Sequence, residues 1–92
     1  MLKVQYTSRF KKDYKLIKKR KYDIQKLKDV ISILCNCECL PQKFKDHELS
    51  GDYKGFRECH IEPDWLLIYK ISDDTLILTL TRTGTHSDLF QK

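Results

Sequence analysis

The chain has 92 residues, 40% of them hydrophobic, enough for one modest core and not for two, so residues 1–92 are expected to form a single domain. The net charge of +5 is laid out unevenly, with 11 basic and 2 acidic side chains in residues 1–28 against 7 and 11 in residues 29–92, an asymmetry that favours a polyanion or an acidic protein as partner. No stretch approaches the ~20 apolar residues of a membrane span, and Met1–Gln5 is too short and too polar to open a signal peptide, so a soluble, cytoplasmic protein is expected.

In chain order, "LKVQY" alternates like a short strand. Thr7 or Ser8 can cap a helix whose apolar positions Phe10, Tyr14 and Ile17 recur at helical spacing, leaving Lys11, Lys12, Lys15, Lys18 and Lys19 outside. Asp23 can cap a second helix, where Ile24, Leu27, Val30, Ile31 and Leu34 draw an apolar stripe that runs to about Asn36. The two helices are expected to pair as a hairpin with one apolar side. "CNCEC", with Cys35, Cys37 and Cys39, has neither C-x-x-C spacing nor a histidine at zinc-finger distance, and reads as reduced cysteines at a helix end. Leu40-Pro41 stops the helix, and "LPQKFKDHELSGD" reads as a long surface loop closed by a Ser-Gly-Asp turn. Residues 53–61, 65–71 and 75–82 then read as three strands joined by Glu-Pro-Asp and Ser-Asp-Asp-Thr corners. The fold class is α+β in the order β-α-α-β-β-β, with the helical hairpin on one face of a mainly antiparallel, twisted sheet and the other face partly open.

This order places chemistry. His60 ends the first of the three strands, Asp64 and Trp65 begin the second, Arg82 ends the third, and His86 and Phe90 follow in "RTGTHSDLF". Adjacent ends of an antiparallel meander lie together, so these residues are expected to converge near the Pro63-Asp64 corner, joined by His47 if "FKDHEL" folds over the same edge. Taken singly, each has an ordinary use, Trp65 in a core and Arg82 in an ion pair. Together they match the demands of RNA cleavage by a ribose 2′-hydroxyl. That reaction needs a base, an acid for the departing 5′-oxygen, and a cation for the charge on the phosphorane. Histidines exchange protons near neutral pH without a metal or other cofactor, Arg82 offers a planar fork to phosphate oxygens, and Trp65 and Phe90 are candidate platforms for unstacked bases.

"YKGFRECHIEPDWLLIYK", "FKDHELSGD" and "LTRTGTHSDLF" together resemble the YafQ branch of the RelE/ParE superfamily of bacterial toxins. The resemblance implies a RelE-like fold and a ribosome-associated endoribonuclease that cuts messenger RNA in the ribosomal A site. It also implies a small acidic antitoxin of the DinJ/RelB type, with a DNA-binding domain, that silences the toxin. The family's site positions carry over to His47, His60, Asp64, Arg82 and His86 as catalytic residues and to Trp65 and Phe90 as RNA contacts, with His86 the favoured general acid. The base stays open among His47, His60 and Asp64. Three other readings compete: a ParE-like poison of DNA gyrase, which has no use for proton transfer; an RNA-binding module without catalysis, which leaves His86 idle; and a zinc hydrolase using His47, His60, Asp64 and His86, which lacks short ligand spacing.

Overall fold

Thr7 makes the first turn of the chain and fixes it to the sheet in the structure, a computed structural model that describes residues 1–90. It follows β1 (Lys3–Tyr6) and caps α1 (Ser8–Lys19), accepting the Phe10 amide at 3.0 Å while its hydroxyl donates to the Thr81 carbonyl at 2.7 Å. Asp23 caps α2 (Ile24–Cys35) by accepting the Gln25 amide. Beyond α2, Cys37 adopts the left-handed conformation (φ 60°), and the Cys37 and Glu38 amides bond back to Leu34 and Ile33, closing the helix end. Thus the middle of "CNCEC" terminates a helix, as its position implied. Phe10, Ile17, Leu27, Val30 and Leu34 on the two helices are buried in the main core.

Beneath the helices lies a five-stranded sheet in the order β1-β5-β4-β3-β2, comprising β2 (His47–Glu48), β3 (Arg57–Glu62), β4 (Trp65–Ser72) and β5 (Ile77–Gly84). β1 pairs with β5 in parallel, and the other three pairings are antiparallel. On β4, Trp65, Leu67 and Tyr69 belong to the core under the helices. The alternate residues Leu66 and Ile68 meet a second cluster with Leu49, Tyr53, Phe56, Leu89 and Phe90. The short helix α3 (His86–Phe90) supplies the last two of these and so covers part of the second face.

The expected class and element order hold, with four local differences. The "LPQKFKDHELSGD" segment is not irregular throughout: it holds a 3₁₀ turn at Gln42–Phe44 and the two-residue strand β2. Tyr53 belongs to another 3₁₀ turn, Gly51–Tyr53, so β3 starts at Arg57 rather than at 53. Leu76 takes a left-handed turn (φ 55°), which delays β5 to Ile77 and lets it run to Gly84. The tail after β5, for which no element was expected, forms the short helix α3.

Candidate active site

Strand alternation puts one set of polar side chains on the face opposite the helices. Glu58 and His60 of β3 stand opposite Ile68 and Leu66 of β4, and His47 of β2 stands opposite Glu58. Between His60 and Glu62 the pairing slips by one residue, so Ile61 is accommodated in the core while the strand end bends. On the same face, Leu89 anchors α3 against Leu66 and Ile68. The result is a row of four rings contributed by three elements. Centroid separations are 6.4 Å from His47 to His60, 5.8 Å from His60 to His86 and 6.3 Å from His86 to Phe90.

Asp64, in the turn between β3 and β4, holds His86. One carboxylate oxygen accepts the His86 backbone N–H at 3.1 Å and lies 3.0 Å from its Nδ1. Those contacts, the backbone N–H foremost and the imidazole next, hold the Asp64 carboxyl below the usual carboxylate range. With Nδ1–H assigned toward the carboxylate, Nε2 of His86 is left for a substrate. Both side chains are open to solvent, 53% for His86 and 68% for Asp64, which a reacting pair requires.

α3 is positioned by "TGTHSD". Thr85 accepts the Asp88 amide at 3.1 Å and donates its own amide to Asp88 at 3.0 Å, a reciprocal capping box. Gly84 sits at φ 150°, and a Cβ there would come within 2.9 Å of the Asp88 carboxylate, so glycine is required between strand and helix. Arg20, just past α1, donates to both Asp88 oxygens at 2.6 and 3.1 Å. Chiefly through Arg20, the Asp88 pKa falls to about 2. Because the folded value lies below the ordinary ~3.9, the stabilisation is complete above about pH 4 and is lost as pH drops through about 2. Thermal melts of Asp88→Asn should therefore fall below wild type at neutral pH, and the gap should close toward pH 2.

A second carboxylate lies between the other two histidines. Nδ1 of His47 is 2.8 Å from the Lys45 carbonyl, and Nδ1 of His60 is 3.3 Å from the Pro63 carbonyl. Their Nε2 atoms lie 3.5 and 3.6 Å from one oxygen of Glu58, whose side chain is 6% exposed. Glu58 was not among the sequence candidates. The signal was present, since residues two apart on a strand share a face and "ECH" sets Glu58 beside His60 in that way.

Two candidates depart from expectation. Trp65 is 2% exposed and is no base platform: alternation turns it toward the helices, its Nε1–H donates to the Thr83 hydroxyl at 2.9 Å, and its ring meets Tyr22 edge-on at 4.9 Å. Arg82 stands opposite Ile68, two residues short of the strand end, because β5 continues to Gly84; it is therefore not at the Pro63-Asp64 corner. Its guanidinium donates to Asp13 of α1 at 2.7 and 3.1 Å, which raises its pKa. It still lines an open cavity of about 660 Å³ with Arg9, Tyr53 and Phe90, so it reaches the Phe90 end of the ring row. His47, His60, Asp64, His86 and Phe90 come together as expected. Among the described residues, no group of three or more His, Cys, Asp or Glu side chains is arranged to hold a metal ion.

A family model described as "Bacterial toxin of type II toxin-antitoxin system, YafQ" matches residues 2–91. The "mRNA interferase toxin YafQ" of Escherichia coli (strain K12) is 47% identical over 88 residues, covering 95% of this chain and 94% of that protein. The crystal structure of the E. coli DinJ-YafQ complex matches with a TM-score of 0.89 and 45% identity over 98% of this chain and 99% of that one. A metal-bound toxin from Helicobacter pylori matches with a TM-score of 0.92 and 42% identity over 98% and 100% of the two chains.

Proposed function

We propose, because this chain belongs to the YafQ family of bacterial type II toxin-antitoxin toxins, that it is an endoribonuclease that cuts messenger RNA on the ribosome by metal-independent acid–base catalysis. The observation that carries this reading is the Asp64–His86 contact, which occupies Nδ1 of His86 and leaves Nε2 free, with His60 5.8 Å away across the row. A cleaved ribose phosphate needs two proton-transfer groups on opposite sides of one phosphorus, and this spacing accommodates it.

In the proposed reaction, His47 or His60 takes the 2′-hydroxyl proton. The 2′-oxygen attacks the adjacent phosphorus, and Nε2 of His86 gives a proton to the departing 5′-oxygen. Asp64 is committed to His86 through two contacts, which removes it from the candidates for base and makes it the residue that orients the acid. Arg82 uses Nε and Nη2 on Asp13, and its remaining N–H groups can meet a phosphate oxygen in the cavity beside Phe90. Phe90, half-buried at the end of the row, can stack on a base, an interaction of ~1–3 kcal/mol. The E. coli YafQ complex with DinJ supports a protein antitoxin as partner. The surplus of basic residues in residues 1–28 supports an acidic wrapping segment on that partner, itself expected to carry a DNA-binding domain. Among the described residues no helix is long and apolar enough to cross a membrane; a ribosomal substrate would place the protein in the cytoplasm.

The experiment is cleavage of mRNA on purified programmed ribosomes, with the product ends identified. Attack by the 2′-hydroxyl leaves 2′,3′-cyclic or 3′-phosphate and 5′-hydroxyl ends. Since a related toxin has been seen with metal bound, the reaction should also be run after zinc and copper are chelated while magnesium is retained. The rate should be unchanged. Loss of activity restored only by the removed metal, or 5′-phosphate products, would replace this mechanism with metal-activated water.

A further inference from the structure

The buried carboxylate between His47 and His60 has no part in the reaction as described above. A carboxylate that is 6% exposed is costly unless it is paired. Both ionic contacts of Glu58 are imidazoles, reached through the same oxygen, Oε1, at 3.5 and 3.6 Å. Its neighbours on the strand serve other purposes: Arg57 pairs with Asp46 and Glu48, and Cys59 is buried in the main core. Each histidine has an acceptor at both ring nitrogens, a backbone carbonyl at Nδ1 and Glu58 at Nε2. At 3.5–3.6 Å the Nε2 contact is too long for a hydrogen bond, so the lone pair stays available to a substrate proton. Once that proton arrives, the new positive charge faces a carboxylate that is itself buried, a pairing that is stronger at His60, 20% exposed, than at His47, 48% exposed.

On the reading that this chain cleaves RNA by 2′-hydroxyl attack, we propose that Glu58 is the positioning residue of the general base. The Lys45 and Pro63 carbonyls fix the two rings at Nδ1, and one buried carboxylate facing both Nε2 atoms compensates the charge that forms when either accepts the 2′-proton. No side chain of the notional acid, His86 or Asp64, is needed for this, so base and acid each have a separate carboxylate. Other charged groups lie near the pair as well: His86 lies across from His60 on α3, and Lys26, Asp29, Lys43, Lys45 and Glu62 line, with His60, a cavity of about 420 Å³. Replacing Glu58 leaves all of them in place.

Glu58→Gln keeps the side chain's size and removes its charge. In single-turnover cleavage of ribosome-bound mRNA it should slow the reaction about tenfold, with the ribosome concentration at half-maximal rate unchanged, because Glu58 is buried. NMR spectra of the free protein should show the His47 and His60 ring-nitrogen signals displaced and those of His86 moved least. Glu58→Asp, which keeps the charge but draws it back by one methylene, should recover part of the rate and fall between the two in its spectra. If the Gln variant does not fold, the Asp variant decides: a slowed reaction with the His47 and His60 signals displaced and His86 in place supports the role, and all three unchanged at the wild-type rate overturns it. A folded Gln variant that cuts at the wild-type rate, or leaves the His47 and His60 signals where they were, also overturns it. Failure of the wild-type protein to cut would instead overturn the functional reading, whereas the NMR result stands without RNA.

Discussion

His86→Ala should lower mRNA cleavage on programmed ribosomes by about 10²-fold or more while leaving the melting temperature close to wild type. The separation of the two effects follows from where the side chain sits. Its ring is 53% exposed and its side-chain hydrogen bond is to Asp64, itself 68% exposed, so removing it deletes little packing. The backbone N–H of His86 still reaches Asp64 in the variant, so the start of α3 keeps a contact. In the proposed mechanism, what disappears is the proton for the 5′-oxygen, a contribution made only in the transition state. The loss should appear in the single-turnover rate and not in ribosome binding. Arg82→Ala provides the contrast, since a phosphate contact exists before reaction and its loss should be divided between binding and rate. A folded His86→Ala protein that cuts as fast as wild type would show that the acid lies elsewhere.

Trp65→Ala should cost about 3–5 kcal/mol of stability, the usual range for emptying a large buried aromatic site. For a domain of this size that corresponds to a fall in melting temperature of more than about 10 °C. Two losses combine. The ring leaves a void against Tyr22, and the Thr83 hydroxyl loses its donor while still donating to the Leu66 carbonyl at 2.8 Å. Growth arrest and cleavage should decline with the folded fraction and recover at low temperature. A variant that melts like wild type yet binds RNA poorly would return Trp65 to the substrate-facing role that "PDW" in the sequence first implied.

The difference between Trp65 and its neighbour Asp64 shows what the sequence made legible. Helical spacing identified both helices, with their starts and the end of the second within about a residue, because caps at Thr7 and Asp23 and apolar stripes are local signals. The convergence of His60, Asp64 and His86 was also legible, since it depends only on strands running back and forth. The facing of Trp65 was not legible from its place beside a turn. Alternation puts it on the same face as Leu67 and Tyr69, and because β4 is apolar on both faces the pattern did not say which face the helices cover. α3 was overlooked although "THSD" carries a capping box, because five residues are too few to show a period. β2 was overlooked for a similar reason: two residues form a strand only when β3 is present to pair with them. Glu58 lay in plain sight by alternation, yet its importance appeared only when β2 brought His47 to its other side.

The parallel pairing of β1 with β5 bears on how the molecule comes into being. Lys3 lies beside Ile77 and Tyr6 beside Leu80, so the first strand has no partner until residues 77–80 have left the ribosome. Contacts this distant in sequence slow folding, because a long loop must close before they form. α3, which carries the proposed acid His86, attaches to the same late strand. Until β5 is free to pair, α3 has no strand to attach to, so His86 is brought beside His60 only late in folding.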